Sequence, residues 1–311
     1  EYEASVGVTA IAPATMTLPV EELESILKTA AEYKKECENI NQIETKNDKK
    51  RADFVGINME GPFIAPEKKG AQNGAYIQAP SAETFRACQQ ASGGLIKLVT
   101  LAPEMEGSVE FIKELKDEVH ISVGHTTADY DTAKAAFEAG ADHVTHLYNA
   151  MPPLNHRAPG VIGAAADNNH VYAELISDGL HIHGSAIRAA FRMFGPERIV
   201  LISDSMMACG MENGEYELGG QKVFMKDRKA TLADGTIAGS ATCLYDCMKR
   251  AVLEMNVPLE SAVRAASETP AKSIGVDNDY GSLAAGRYGN VILADKELNL
   301  KAVIQKGVRI V

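Results

Sequence analysis

What this 311-residue chain has little of narrows it before any motif is read. No apolar run approaches the roughly 20 residues a membrane-spanning helix needs, so no such span is expected. Basic residues are in deficit: 31 Lys and Arg against 42 Asp and Glu give a net charge of −11. That balance argues against a nucleic-acid surface, while still allowing a local basic pocket for a small anion. The five cysteines (Cys37, Cys88, Cys209, Cys243, Cys247) are odd in number and contain no CxxC. They read as reduced thiols, which leads us to expect a cytoplasmic protein. Cys243 and Cys247, four apart on an expected helix, read as packing residues. The chain opens Glu1-Tyr2-Glu3, with neither Met nor a signal pattern, so we expect it to begin inside a longer natural sequence.

A hydrophobic content of 45% marks a globular chain rather than a disordered one. The length suits two average domains, or one large α/β barrel with an appendage. Short apolar runs beginning near residues 6, 54, 96, 121, 144, 173 and 199 alternate with helical stretches such as 20–39, 109–115, 128–138 and 185–194. The runs are continuous rather than alternating, as expected of strands buried on both faces. This order predicts parallel βαβ units. The count is seven where a closed barrel has eight, so we expect the first strand to be missing from this sequence. The charged stretch 46–53 reads as a solvated linker. Residues 209–239, with alternating Tyr216-Glu217-Leu218 and Lys222-Val223-Phe224-Met225, predict a β-hairpin insertion. Helices near 244–256 and 259–273 follow. We therefore expect a barrel over 1–280 and, over 281–311, the C-terminal strands of a small β domain too short to fold alone.

Barrel chemistry sits at the C-terminal ends of the strands. Four strands close on Met59-Glu60-Gly61-Pro62, Gly124-His125-Thr126, Thr145-His146-Leu147 and Ser203-Asp204-Ser205. Glu60, His125 and His146 offer one oxygen and two imidazole nitrogens, enough to hold a divalent metal with a position left open. Asp204 suits a proton acceptor and donor. Taken singly, each has a plainer role: a hydrogen-bonded His, a turn anchor, a helix cap. Their arrival on four separate strand ends favours the site. Arg157 and His181 suit a phosphate, although an Arg in a loop is usually only surface charge. The run 236–241 could be only a turn. His120, His143, His156, His170 and His183 read as structural or surface residues.

Glu60-Gly61-Pro62-Phe63, Lys69-Gly70-Ala71-Gln72, Gly124-His125-Thr126, Thr145-His146-Leu147-Tyr148-Asn149-Ala150-Met151, Asp178-Gly179-Leu180-His181 and Ser203-Asp204-Ser205 occur in order over nearly the whole chain. In these motifs the sequence resembles the N-acetylglucosamine-6-phosphate deacetylase family, within the amidohydrolase superfamily of metal-dependent barrels. The resemblance implies a TIM-type (β/α)8 barrel with a small β-sandwich domain. It implies metal ligation by Glu60, His125 and His146, with Asp204 as catalytic acid and base. It implies sugar-phosphate binding by Ala71, Gln72, Asn149, Ala150, Arg157, His181 and the backbone of Ile237, Ala238 and Gly239. One or two divalent ions are implied, zinc first, with Fe, Mn, Co and Ni also suited to such ligands. A homodimer acting on a phosphorylated amino sugar is implied as well. Two departures stand out. No His-x-His closes a first strand, and Gln72 stands where some members have His. The rival readings are another amidohydrolase acting on a cyclic amide or amine, and an inactive sugar-phosphate-binding barrel.

Overall fold

The computed structural model describes residues 1–43 and 51–311, so most of the linker expected at 46–53 lies outside the described residues. The N-terminal run differs from its expectation. A short helix α1 (Tyr2–Ser5) comes first, and the strand β1 is confined to Ala10–Ile11. Helix α2 (Val20–Ile43) leads to β2 (Asp53–Phe54) and β3 (Ile57–Glu60), two short strands where one was predicted. The segment from Thr9 to Thr15 nonetheless stays alongside them. Asp53 N donates to Thr9 O, Val55 N to Ile11 O and Asn58 N to Pro13 O, all within 3.0 Å, and Thr15 N donates to Asn58 O at 2.9 Å.

From β3 the chain alternates regularly: α3 (Ala82–Ala91), β4 (Ile96–Leu101), α4 (Ser108–Leu115), β5 (His120–Val123), α5 (Tyr130–Ala139), β6 (His143–Val144), α6 (Gly160–Asp167), β7 (Tyr172–Ile176), α7 (Gly184–Phe194) and β8 (Ile199–Ile202). Strands β3 to β8 pair in sequential order as one six-stranded parallel sheet. The strands are buried on both faces, as their unbroken apolar runs require: Val99, Leu101, Val123, Ala173, Leu175 and Leu201 are all within 1% of full burial. Local chemistry starts and stops the helices. Ser81 and Asp129 cap α3 and α5 by accepting the N–H of Thr84 and Thr132, and Gly140 ends α5 at a positive φ.

The predicted hairpin insertion is larger than two strands. Strands β9 (Gly214–Leu218), β10 (Gln221–Lys226), β11 (Lys229–Thr231) and β12 (Ile237–Ser240) form a four-stranded antiparallel sheet. Its period-two pattern buries Val223 and Met225 with Met206, Ala208, Ala230, Ala238 and Ala241 in a separate small core. Helices α8 (Leu244–Leu253), α9 (Leu259–Ala266) and α10 (Glu268–Ser273) follow. The chain ends in an antiparallel sheet of β13 (Val291–Ala294), β14 (Leu300–Gln305) and β15 (Val308–Arg309). This sheet is tied to the barrel's first strands. Lys306 pairs with Asp53 at 2.8 Å, and Gln305 Nε2 donates to Arg51 O at 2.6 Å.

Candidate active site

Glu60 is the last residue of β3, while His125, His146 and Asp204 each lie two residues past β5, β6 and β8. Their backbones turn sharply: φ is 46° at His125, 31° at His146 and 48° at Asp204. Such left-handed values in non-glycine residues store of order 1–3 kcal/mol each and persist only where the surroundings enforce them. The surroundings here do so. Thr126 N donates to Ala150 O, Leu147 N to Glu174 O and Ser240 N to Asp204 O, at 2.7–3.0 Å.

Three donor atoms converge. His125 Nε2 is 3.2 Å from Glu60 Oε1 and 2.9 Å from His146 Nε2, and the cluster fits within 4.8 Å. The Nδ1–H of His125 donates to Lys68 O at 2.7 Å, which turns Nε2 toward Glu60 and His146. Against its burial, the Glu60 carboxylate raises His125, so without a cation a proton on Nε2 joins the three atoms, and a divalent cation would take its place. Two imidazoles and a carboxylate are a fitting donor set for such an ion. Burial by itself would raise the Glu60 carboxyl, but the hydrogen bond and charge of His125, with the Gln72 amide, hold it well below its ordinary range. Burial, reinforced by His125, pushes His146 down to about 4, so its ring is neutral as a ligand must be. Asp204 moves the other way: burial, then the charge of Glu60, raise it to about 7.

The expected substrate residues fall into two groups. Gln72 joins the cluster: its Nε2 donates to Glu60 Oε1 at 2.9 Å, while Thr17 N fixes its Oε1 at 2.7 Å. His181 is held by Asp178, whose Oδ2 accepts Nδ1–H at 2.8 Å and whose Oδ1 accepts the N–H of Leu180 and His181. His181 Nε2 is thereby left to face outward from the pair. Asn149 spends its amide on His146 O and Leu147 O, bracing the loop beneath the ligand. Ala71 packs on the core of the inserted sheet, and Gln221 donates to its carbonyl at 2.6 Å. Ile237, Ala238 and Gly239 lie in strand β12 rather than a turn, and a Cβ at Gly239 would meet Asp204 O at 3.0 Å. Arg157 stands apart from the cluster: it is exposed, and its guanidinium has no partner among the described residues.

Sequence reasoning missed several supports. Glu104 accepts from the Thr126 and Thr127 hydroxyls and from Thr127 N, clamping the turn after His125; nothing in Pro103-Glu104-Met105 signals that. Asp178 was legible in principle, since an Asp two and three residues before free N–H groups is the signature of an Asx turn. At the opposite strand ends, His120 and His143 both bond Asp142, at 2.6 and 2.7 Å, and Asp142 also accepts Ile121 N. These three side chains also lie close enough to hold an ion. Both oxygens of the Asp142 carboxylate already accept hydrogen bonds, in keeping with the structural role expected of both histidines.

A parallel barrel sheet with ionisable residues gathered on its C-terminal rim defines an enzyme of the barrel class, with a group suited to a metal ion. Within that class the chain belongs to the amidohydrolase family, which it matches over residues 23–310. It is 41% identical to the N-acetylglucosamine-6-phosphate deacetylase of Bacillus subtilis, covering 82% of this chain and 65% of that protein. Identity to the enzyme of the same name from Vibrio furnissii is 35%, over 98% of this chain and 74% of the relative. The chain thus spans about two thirds to three quarters of these relatives. Among solved structures, an N-acetyl-D-glucosamine-6-phosphate deacetylase mutant from Mycobacterium smegmatis, in complex with N-acetyl-D-glucosamine-6-phosphate, superposes with a TM-score of 0.89. Its sequence identity is 31%, over 99% of this chain and 79% of that one.

Proposed function

We propose that this protein hydrolyses the acetamide of N-acetylglucosamine 6-phosphate to glucosamine 6-phosphate and acetate, as a step in amino-sugar breakdown. The observation that carries the reading is the convergence of Glu60, His125 and His146 near the half-buried Asp204 on one rim of the barrel. Those three side chains would hold the divalent ion, for which zinc is our first choice. When bound, it supplies Lewis-acid polarisation of the amide carbonyl and a lowered pKa for water. Asp204 takes the proton of the attacking water and passes it to the departing amine, which is otherwise a poor leaving group. A carboxyl raised toward neutrality is suited to both halves of that transfer. In this reading Gln72, oriented by Thr17 N and bonded to Glu60 through one amide hydrogen, gives its other amide hydrogen to the acetyl oxygen. In the same reading His181, braced by Asp178, contacts the sugar phosphate through Nε2. Arg157, Asn149, Ala150, Ala71 and the Ile237–Gly239 backbone complete the sugar-phosphate contacts in this reading. We place the protein in the cytoplasm as a homodimer, with a barrel over 1–280 and a β-domain portion over 281–311.

The test is a substrate panel: N-acetylglucosamine 6-phosphate, its galacto epimer, unphosphorylated N-acetylglucosamine and a cyclic amide, with acetate or amine release measured. Preference for a phosphorylated N-acetyl sugar is expected, with Arg157→Ala raising KM more than it lowers kcat. Preference for the unphosphorylated sugar would remove the phosphate assignment, and turnover of the cyclic amide alone would favour the rival amidohydrolase reading.

A further inference from the structure

His146 meets the metal-suited cluster through Nε2, which lies 2.9 Å from His125 Nε2. Its other ring nitrogen, Nδ1, is buried and has no hydrogen-bond partner in the described chain. A cation held at Nε2 leaves the ring proton on Nδ1. That makes Nδ1–H a buried donor in need of an acceptor, and an unmet one costs about 1–3 kcal/mol.

Besides Glu60 on the Nε2 side, a second carboxyl reaches residue 146. Glu174 Oε2 accepts the His146 backbone N–H at 3.3 Å, and the Glu174 carbonyl accepts Leu147 N at 2.7 Å. Glu174 lies mid-strand in β7, between the fully buried Ala173 and Leu175, and is itself only 5% exposed. Among the described residues it forms no ion pair. An acid held there is expensive: burial, then the charge of Glu60, raises the Glu174 carboxyl to about 8. Its cost calls for a use that packing does not supply.

We infer that Glu174 is the positioning carboxylate of His146. It grips the left-handed turn through the His146 N–H and accepts Nδ1–H when a cation is held at Nε2. The result is a carboxylate–histidine–metal relay of the kind that fixes ring orientation and raises ligand basicity. Glu174 touches neither substrate nor reacting atoms, so its effect passes through His146. This inference rests on the proposed metal site.

The experiment compares Co2+ affinity, by chelator competition, in the wild-type protein, Glu174→Gln and Glu174→Ala, with folding checked by circular dichroism. Weakening of threefold or more is expected for both variants. The alanine change should reach 10–100-fold, the range typical of lost outer-shell partners. The visible absorption of bound Co2+ should also shift, because the ring is no longer held. A folded variant whose Co2+ affinity changes less than threefold overturns the inference, even if its thermal midpoint falls, since that pattern means packing alone. Where Glu174→Ala does not fold, Glu174→Gln decides by the same threshold. A wild-type protein that binds no Co2+ overturns the metal site itself and this inference with it. A wild type that binds while the variants match it overturns only the inference.

Discussion

Asp204 and Asp178 show how neighbours set two carboxyls to opposite tasks. At Asp204 burial, then the charge of Glu60, outweighs His181 and His125 and raises the carboxyl to about 7. Replacing it with Asn should lower kcat by roughly 10²–10⁴-fold, the usual worth of a general acid–base, while metal content stays unchanged. Steady-state kinetics with metal analysis on the same sample checks both halves. Asp178 is lowered to about 2, because the bonds and charge of His181 and the N–H of Leu180 outweigh its burial. A depressed carboxyl stabilises the fold above its unfolded pKa and loses that contribution as pH falls through the folded value. The charge-specific part of the Asp178→Asn destabilisation should therefore be about 2 kcal/mol at pH 6 and should shrink between pH 4 and pH 2. Urea unfolding of both proteins across that range measures it. A difference constant with pH would assign the loss to packing.

At the scale of elements, each active-site turn is set by the strand that ends beneath it. Gly124 closes β5 so tightly that a Cβ there would sit 2.5 Å from Thr145 Cβ and 3.1 Å from Thr100 Cγ2. Those neighbours belong to a buried hydroxyl chain, Thr100–Thr145–Ser122, at 2.9 and 2.6 Å. Gly124→Ala should cost about 1–3 kcal/mol, seen as a lowered thermal midpoint, and should displace His125 enough to weaken metal binding. The long continuous runs of β4, β7 and β8 were legible in the sequence because burial on both faces leaves no polar alternation. Glu60, His125, His146 and Asp204 were legible because their chemistry falls where such runs stop. Helices α3 and α6 escaped notice: α6 is nearly all small and apolar (Gly160–Asp167) and carries no amphipathic signature. Strand β6 is only two residues long, since the His146 turn takes over the rest of its apolar run. The partnership of Glu104 with Thr126 and Thr127 joins two loops with no local pattern to announce it. Long-range contacts of that kind do not show in a single sequence.

Over the whole molecule, two small sheets are fastened to one barrel at opposite places. The four-stranded insertion packs beside the Ala71–Gln72 turn and the Asp204 backbone, whereas the C-terminal sheet grips Asp53 and Arg51 near the strand starts. The insertion therefore lies on the side of the candidate site, and the tail on the side of the strand starts. A net charge of −11 is compatible with an anionic substrate only if positive groups are local, as Arg157 and His181 would be. The proposed activity depends on a cation bound by the Glu60–His125–His146 cluster. That dependence is tested most directly by acetate release from N-acetylglucosamine 6-phosphate, before chelation, after chelation, and after adding back Zn2+. The expected result is activity that disappears with the metal and returns with it in the wild type, but does not return in Asp204→Asn. Full activity in the chelated, metal-free protein would contradict the account.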